Sequence, residues 1–312
     1  MMRNSNSAVA WLWLTIAVAA VSGVLAVASD KTPGLAATAA ADDQDEAKIG
    51  YGVYDPEGRF SISDRIAIDH VFIPWYAYDR EGLRSAYHRA AARNRWLMVT
   101  IEPWSRTSAS GRSDATLFDD ITAGVYDQDI SGICADLGAL QAPLFVRWGH
   151  EMEVVSGRYP WAQSDGDGYI RAYRYFVDRC RKSVKRSYFI WSPKGEPQMS
   201  RYYPGSDYVD FVGLSVFGLQ ERDFDQFGAL YFDDLFGTSY TVASSYGKPI
   251  MIAELGVQGN EDYRREWISQ LARSRRKFPW LRLAVYFNAK EPVLLPGRNA
   301  LPDWHIDPCM FP

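Results

Sequence analysis

The sequence predicts an α/β protein folded as a single (β/α)8 barrel, and three observations support this. From Lys48 onward, eight short apolar runs alternate with longer stretches of helical periodicity. The runs are almost continuously apolar and bounded by breaker residues, which is typical of parallel strands covered on both faces. The region of about 265 residues that follows the N-terminal segment has the usual size of one such barrel.

The strands and helices follow one another at short intervals. Pro103 ends the third strand and Pro193 the fifth, because proline has no N–H to donate to a sheet. Apolar runs predict strands at 49–54, 67–75, 96–102, 144–148, 188–191, 209–216, 249–253 and 281–288. Amphipathic stretches between them predict helices at 80–93, 128–140, 168–185, 224–246 and 262–277. Eight such units favour a closed barrel over an open sheet.

The N-terminus carries a hydrophobic targeting segment. Residues 8–29 form a nearly unbroken apolar run without charge, about long enough to span a bilayer, and Ala26-Val27-Ala28 would serve as a cleavage site. The sequence leaves open whether residues 1–29 are a cleaved signal peptide or a signal anchor. Either outcome predicts an extracytoplasmic protein that meets the membrane only through this segment. Residues 30–47 predict a flexible acidic linker, and residues 48–312 one folded domain.

Composition excludes several function classes. The net charge is −4 and no run of Lys or Arg is long, which argues against nucleic-acid binding. No Gly-rich phosphate loop is present, which disfavours a nucleotide-binding open sheet. The chain has only four His, and Val154 stands where a zinc-protease motif needs its second His, so we expect neither a metal nor a cofactor. The 11 Trp and 19 Tyr residues suit either a core or a sugar-binding cleft.

The three cysteines do not make a disulfide framework, because their number is odd. Cys134 and Cys180 fall on predicted neighbouring helices. They would pair in an oxidising compartment or stay as buried free thiols, and the sequence leaves both states open, as it does for Cys309.

Two glutamates stand where a barrel carries its reactive groups, at the carboxyl ends of strands. The fourth strand runs into Glu151 and the seventh into Glu254, while Glu102 ends the third. Alternation along the strands predicts that two sets of side chains face the barrel axis, namely Phe145, Arg147, Gly149 and Glu151, and Ile250, Ile252 and Glu254. Arg147 would then lie one layer below the glutamates, with its charge paired.

A facing pair of carboxyl groups is what cleavage of a glycosidic bond requires. One must be protonated to give a proton to the leaving oxygen, and the other must be ionised to attack or to activate water. The alternative is that either glutamate is a salt-bridge partner at the rim of the barrel.

The motifs around these residues resemble those of glycoside hydrolase family 26, in order over most of residues 48–310. The most specific are VRWGHEM at 146–152 and YPW at 159–161. The others are IEPW at 101–104, ITAGVYDQDI at 121–130, IWSP at 190–193, YYPGSDYVDFVGL at 202–214, IAELG at 252–256 and YFNAKE at 286–291. The resemblance implies a (β/α)8 fold with the acid/base on the fourth strand and the nucleophile on the seventh.

Carried over residue by residue, the resemblance assigns Glu151 as the proton donor and Glu254 as the nucleophile of a retaining double displacement. His150 would sit beside the acid and contact the sugar, although strict alternation points it away from the axis and so implies a bulge. Trp161 would be a stacking platform for the sugar. Further candidate substrate contacts are Trp104, Trp191, Glu102 and Phe217, while Trp75 and His70 are as readily explained as structural residues.

Two departures from the family pattern concern the substrate. Glu153 replaces the Asn that follows HEM, and VVSGR at 154–158 lengthens the loop before YPW. Phe217 stands where the family has a Tyr that hydrogen-bonds the nucleophile, so that hydroxyl is lost.

The resemblance implies a retaining endo-β-glycanase whose partner is a polysaccharide. The implied substrate is β-1,4-mannan or mixed β-1,3/1,4-glucan, less often β-1,3-xylan, and an exopolysaccharide of the cell itself is a further candidate. The alternative is a non-catalytic polysaccharide-binding protein on a lapsed glycosidase barrel. We expect the chain to be a monomer without cofactor.

Overall fold

A computed structural model describes residues 48–105, 115–140, 142–225, 228, 230–294 and 300–312. The predicted targeting segment (1–29) and linker (30–47) lie outside these residues. Within the described part of the chain, no helix is both long enough and apolar enough to cross a membrane.

Eight parallel strands close into a barrel in sequence order, which confirms the predicted fold. The strands are β1 (Gly50–Tyr54), β2 (Ile66–Pro74), β3 (Trp96–Glu102), β4 (Leu144–Trp148), β5 (Ser187–Trp191), β6 (Phe211–Leu219), β7 (Ile250–Gln258) and β8 (Leu281–Phe287). The helices are α1 (Arg80–Ala92), α2 (Leu117–Thr122), α3 (Asp127–Ala139), α4 (Gly166–Cys180), α5 (Gln220–Asp225), α6 (Phe232–Ser244) and α7 (Glu261–Arg273). Short 3-10 turns lie at Pro197–Tyr202, Ser206–Tyr208, Ser274–Arg276 and Pro308–Met310.

The structure departs from the predicted elements mainly around β6 and β7. Both strands run several residues further than their apolar cores suggested, to Leu219 and Gln258. The single helical stretch predicted at 224–246 is instead the two helices α5 and α6. Gly228 lies between them with a φ of +80°, a left-handed conformation that ends helical geometry and that glycine adopts without strain.

Side chains from seven strands fill the inside of the barrel. This interior layer is separate from the larger core between the strands and the helices. Its buried members are Ile68, Trp96, Met98, Phe145, Ile190, Phe211, Met251, Ala253, Leu283 and Val285. Phe145 faces the axis as alternation along β4 predicted, so the next side chain on that face, Arg147, points into the mouth of the barrel.

On β7 the predicted alternation is wrong, because a β-bulge changes it. Met251 and Ala253 face the axis, whereas Ile250 and Ile252 belong to the outer core. The register with β6 passes from Leu214 opposite Ile252 to Ser215 opposite Glu254, so Ala253 has no opposing residue. The extra residue shifts the side-chain parity by one. Ala253 and Glu254 therefore both face inward. Glu254 reaches the mouth as predicted, although Ile250 and Ile252, which were predicted on the same face, point outward.

A disulfide between Cys134 on α3 and Cys180 at the end of α4 joins these two helices. Both side chains are buried, and the bond closes a loop with a sequence separation of 46. The structure thus decides between the two states that the sequence left open. Cys309 is free and exposed.

We expect the loss of this disulfide to lower stability, because the bond restricts the unfolded chain. The chain-entropy model gives about 4 kcal/mol for a loop of this length, within the usual 2–4 kcal/mol, and a fall in Tm of roughly 5–15 °C. Thermal unfolding of Cys134→Ala/Cys180→Ala would measure the effect, with Cys309→Ala as the control at an exposed cysteine. Equal Tm values for all three proteins would contradict the expectation.

Candidate active site

A left-handed turn after β4 brings His150 and Glu151 into the mouth of the barrel. Gly149 and Glu151 have φ values of +55° and +52°. The Gly149 N–H donates to the carbonyl of Ile101 (3.1 Å), and the Glu151 N–H donates to that of Ser192 (2.8 Å), so the turn is tied to β3 and to the end of β5. Positive φ is uncommon for a residue other than glycine and is concentrated at functional sites.

This turn takes the place of the bulge that the sequence implied. It redirects the chain so that consecutive side chains need not alternate between the two faces of the strand. His150 therefore does not point away from the axis as strict alternation would require.

Glu254 is held from below by a buried ion pair. Nη2 of Arg147 donates to Oε1 of Glu254, and the guanidinium has no exposed surface. Arginine stays charged at any working pH, and a buried cation without a partner is costly. The expectation that Arg147 lies one layer below and is paired is confirmed.

The pKa of Glu254 is raised to about 7. Burial is the largest cause, and the negative charge of Glu151 adds to it, whereas the contact with Arg147 works in the opposite direction. The two glutamates therefore interact electrostatically, as a catalytic pair would, and one proton is easily kept on the pair near neutral pH.

His150 lies between the aromatic side of the mouth and Glu254. Its Nε2 is 3.9 Å from Oε1 of Glu254, and its ring packs edge-on against Tyr159, with centroids 4.8 Å apart. Burial, and then the positive charge of Arg147, lower the pKa of His150 well below its usual range, so the ring is neutral. Among the described residues its Nδ1 has no hydrogen-bond partner. A neutral imidazole here can donate to, or accept from, a sugar hydroxyl.

His70 is a buried histidine that is hydrogen-bonded at one ring nitrogen. Its Nε2 is 2.7 Å from Oγ1 of Thr100 on the neighbouring strand, and its ring packs on Phe72 with centroids 4.4 Å apart. Burial lowers its pKa well below the usual range. Among the described residues its Nδ1 has no hydrogen-bond partner, so His70 is not the satisfied structural histidine that one interpretation expected.

The prediction that Trp161 is a stacking platform for the sugar is wrong, because its ring is not exposed. The side chain is completely buried. Its Nε1 donates to the carbonyl of His150 (2.7 Å), and its ring is stacked on that of Tyr159 with centroids 4.6 Å apart. Trp161 therefore supports the turn that carries His150, and Tyr159 covers it.

Trp104 and Glu102 form a partly exposed edge at the end of β3. Nε1 of Trp104 donates to Oε2 of Glu102 (3.1 Å), and Nε1 of Trp75 donates to the carbonyl of Trp104 (2.8 Å). Burial raises the pKa of Glu102. Trp75 is itself buried and stacked on Tyr126, so it belongs to the core. The proposed sugar contacts of Trp104 and Glu102 stay predictions.

Trp191 is a core residue, which corrects the prediction that it lines the cleft. Its ring is completely buried against Tyr203 (5.0 Å) and Tyr246 (5.4 Å), outside the barrel. Although β5 ends at this residue, its side chain follows the outward face of the strand. Position at a strand end alone does not distinguish the two faces.

Phe217 lies in an apolar wall on the β6 side of the mouth. Its ring packs on Trp304 (4.8 Å) and Phe287 (6.4 Å). Phe287 in turn packs on Phe72 (6.1 Å), whose ring meets His150 (5.9 Å). The hydroxyl that a Tyr would offer here is replaced by apolar contact, and a sugar contact of Phe217 stays a prediction.

Glu153 binds the protein's own backbone. Its Oε1 accepts hydrogen bonds from the N–H groups of Gly195 (2.9 Å) and Glu196 (3.2 Å), just beyond β5. Its side chain is buried, and burial raises its pKa. Glu153, which replaces the Asn of the family, therefore holds the loop that follows β5.

The sequence interpretation missed an ion pair across the rim. Nη2 of Arg158, from the lengthened loop after β4, donates to Oε2 of Glu291 after β8 (3.2 Å). Nε1 of Trp304 donates to the other oxygen of Glu291 (3.3 Å). Both segments carried recognisable motifs, but the two residues lie 133 positions apart, and no local pattern connects them.

In the part of the chain that the structure describes, no group of three or more His, Cys, Asp or Glu residues is placed to hold a metal ion.

The chain is similar to known glycoside hydrolases. The model of the family Glycosyl hydrolase family 26 matches residues 114–277. Endoglucanase H of Acetivibrio thermocellus is 26% identical over 262 residues, which are 78% of this chain and 26% of that protein. A beta-1,3-xylanase of Alcaligenes sp. is 27% identical over 187 residues, 57% of this chain and 36% of that protein. The chain thus spans about a quarter to a third of the curated relatives it matches.

Solved structures show the same fold at low identity. The catalytic domain of an endo-beta-1,4-mannanase from Bacillus sp. JAMB-750 superposes with a TM-score of 0.62 at 18% identity, covering 77% of each chain. A modular endo-beta-1,4-mannanase from Cellulomonas fimi has a TM-score of 0.61 at 15% identity, covering 81% of this chain and 68% of that one.

Proposed function

Because the chain belongs to glycosyl hydrolase family 26, we propose that it is a retaining endo-β-glycanase in which Glu254 is the nucleophile and Glu151 the proton donor. The observation that carries the proposal is the buried pair of interacting carboxyl groups at the mouth of the barrel, one of which is bound by Arg147. Such a pair is the minimum machinery for acid-assisted cleavage of a glycosidic bond.

The contact with Arg147 supports Glu254 as the nucleophile. The raised pKa of Glu254 alone would also suit an acid, but a direct hydrogen bond from a permanent cation stabilises the ionised form that must attack. Among the described residues, no cation lies within ion-pair distance of Glu151. We therefore assign the attacking, ionised role to Glu254 and the role of proton donor to Glu151.

The reaction would proceed in two displacements. The Glu254 carboxylate attacks the anomeric carbon, the bond to the leaving oxygen breaks, and Glu151 gives that oxygen its proton. Glu151, now ionised, takes a proton from a water that attacks the same carbon, and the bond to Glu254 breaks. After the first displacement Glu151 is ionised and can act as a base, and after the second both glutamates are back in their starting protonation states. Each displacement inverts the configuration of the anomeric carbon, so the product keeps the configuration of the substrate.

Two concave surfaces on opposite sides of the mouth support endo action. One, of about 380 Å³, lies at the ends of β6 and β7 and is lined by residues that include Gln220, Phe224 and Gln258. The other, of about 340 Å³, lies beyond β2 at the start of α3 and includes Tyr76 and Gln128. Strands β2 and β6 are opposite in an eight-stranded barrel, and neither surface is lined by Glu151 or Glu254, so we propose that a glycan held over the glutamates extends toward both surfaces.

The names of the relatives delimit the substrate class. They include an endoglucanase, a beta-1,3-xylanase and endo-beta-1,4-mannanases. We propose a β-linked polysaccharide, with β-1,4-mannan, mixed β-1,3/1,4-glucan, β-1,3-xylan and bacterial exopolysaccharides as the panel on which to measure the release of reducing ends. Activity on one glycan that Glu151→Gln abolishes and Glu261→Gln, a change at an exposed helix position, leaves intact would support the proposal.

A non-catalytic polysaccharide-binding protein is the second candidate, and Phe217 favours it because the hydroxyl near the nucleophile is lost. Glu153, the other departure, is accounted for by its backbone hydrogen bonds. Binding to a glycan without any release of reducing ends across the panel would favour this candidate over the enzyme.

We further propose that the domain acts outside the cytoplasm. The apolar segment at residues 8–29 and the Cys134–Cys180 disulfide both support this, because such bonds persist in oxidising compartments. Recovery of the native protein from the cytoplasmic fraction with both thiols reduced would exclude the proposal. The mass of the mature N-terminus would distinguish a cleaved signal from an anchor.

The pH dependence of kcat/KM follows from the pKa of Glu254. The reaction needs one proton on the pair of glutamates. The negative charge of Glu151 contributes to the pKa of about 7 at Glu254, so this pKa describes the uptake of the first proton by the ionised pair. We expect log kcat/KM of the free enzyme to be level just below pH 7 and to fall with a slope of about 1 per pH unit above it, where the pair loses that proton. A kcat/KM that is constant from pH 7 to pH 9 would contradict either this pKa or the assigned roles.

A further inference from the structure

Arg158 is the accessible group of a small stack at the rim of the mouth. Its guanidinium lies over the ring of Tyr159, with the carbon 5.0 Å from the ring centroid, and Trp161 is stacked on the same ring. Tyr159 is 8% exposed and Trp161 is completely buried. The side chain of Arg158, by contrast, is 30% exposed. A glycan that approaches this side of the mouth therefore meets a guanidinium before it can meet an aromatic face.

Glu291 fixes the direction of that guanidinium. It accepts a hydrogen bond from Nη2 of Arg158 with one oxygen, while Nε1 of Trp304 donates to its other oxygen. The side chain of Glu291 is only 7% exposed, so it is a rigid anchor. One terminal nitrogen of the guanidinium is used in this way. The remaining donors lie on the exposed part of the side chain, and an oriented planar fork of donors suits a carboxylate.

Tyr159 connects Arg158 to the reacting groups. The ring that lies under the guanidinium also packs on His150 (4.8 Å), whose Nε2 is 3.9 Å from Oε1 of Glu254. Burial opposes the charged form of Arg158, but the negative charges around it, those of Glu291, Glu151 and Glu254 among them, raise its pKa. Its positive charge in turn favours the ionised form of Glu254. A sugar bound at the cleavage site is thus within the electrostatic reach of the guanidinium.

In the working protonation state the other charges are matched. Arg147 is paired with Glu254, Glu291 with Arg158, and Glu151 carries the proton. On the opposite edge, burial raises the pKa of Glu102, which weakens its ionised form. An acidic substituent on the sugar would consequently meet the exposed donors of Arg158 while Glu254 and Glu291 are each paired with an arginine.

We propose that Arg158 is a specificity-determining residue that binds a carboxylate on the sugar next to the cleaved bond, so that the substrate is an acidic β-glycan. This inference rests on the proposed function, because it names the substrate class of the same site. A cation in that place offers a neutral glycan only hydroxyl contacts, whereas it offers a uronate or an acidic substituent a charge-assisted hydrogen bond.

The test uses one acidic polysaccharide in two forms, with its uronic acid groups intact and after chemical reduction of the carboxyl groups to alcohols. The linkages are the same in both. We expect the wild-type kcat/KM to be at least about tenfold higher on the acidic form, with the difference mainly in KM and diminished by added salt. In Arg158→Gln this ratio should fall close to one, whereas Arg158→Lys should keep part of it. Arg265→Gln, which removes a charge on exposed α7, is the control.

Binding of both forms to Glu254→Gln protein, measured by calorimetry, gives a second readout without turnover. If both forms are hydrolysed and the wild-type kcat/KM on the acidic form is no higher than on the reduced form, the inference is overturned while the enzyme assignment stands. The same holds if Arg158→Gln leaves the ratio of the two kcat/KM values unchanged. If neither form is hydrolysed but the acidic form binds more tightly through Arg158, the inference holds and the proposed hydrolysis is at fault. Equal binding of the two forms to all variants would overturn the inference in that case too.

Discussion

Glu254→Gln is expected to lower kcat by roughly 10⁴-fold or more, the largest effect that we expect for any single substitution in this protein. Glutamine has the shape of the glutamate, and its amide oxygen can still accept the hydrogen bond from Arg147, so the variant should fold. Its stability should fall, because the buried guanidinium loses its counter-charge. Glutamine cannot form the covalent bond to the anomeric carbon. Rates on the preferred glycan, together with a cooperative unfolding transition above the assay temperature, would show that chemistry, and not folding, is lost.

Rescue by azide distinguishes the roles of the two glutamates. In Glu254→Ala, azide can occupy the space of the missing nucleophile and attack from that face, which gives a glycosyl azide of inverted configuration. In Glu151→Ala, azide can attack the covalent intermediate in place of activated water and gives a product of retained configuration. If the two products were exchanged between the variants, the raised pKa of Glu254 would have to be read as that of the acid, and our assignment would be reversed.

Arg147→Met is expected to damage both stability and activity. It leaves the buried carboxyl of Glu254 without its partner, and removal of one member of a buried ion pair typically costs about 3–5 kcal/mol. Because Arg147 lowers the pKa of Glu254, its loss should raise that pKa above about 7 and move the alkaline limb of kcat/KM to higher pH. At pH 7 we expect a loss of activity of roughly 10²-fold.

The double variant Arg147→Met/Glu254→Gln separates the two effects. With both charges removed, no buried charge is left without a partner, so most of the lost stability should return in chemical denaturation, while activity stays absent. Arg174→Met, a change at an arginine that contacts Pro204 and Tyr208 far from the mouth, is the matched control for the size of the side chain. An Arg147→Met protein with wild-type stability and an unchanged pH profile would refute the electrostatic role.

The number and spacing of the apolar runs along the sequence were enough to predict the barrel. Eight runs of strand length, separated by amphipathic stretches, have few ways to bury both faces, and local periodicity carries that information. The end of an apolar run is also a local feature, so Glu151 and Glu254 could be selected from the sequence as the carboxyl groups that flank the mouth, although β7 itself continues to Gln258. The pairing of Arg147 followed from the cost of a buried charge.

Only the tertiary structure decided which side chains meet at the mouth. The bulge at Ala253 reversed the predicted face of β7, and the left-handed turn at Gly149 and Glu151 redirected His150. Trp161 and Trp191 proved to be buried, because the exposure of an aromatic ring depends on what packs against it from distant segments. Arg158 and Glu291 met across 133 residues for the same reason. Secondary structure is set largely by neighbours in sequence, whereas strand ends, burial, pairing and bulges are set by neighbours in space.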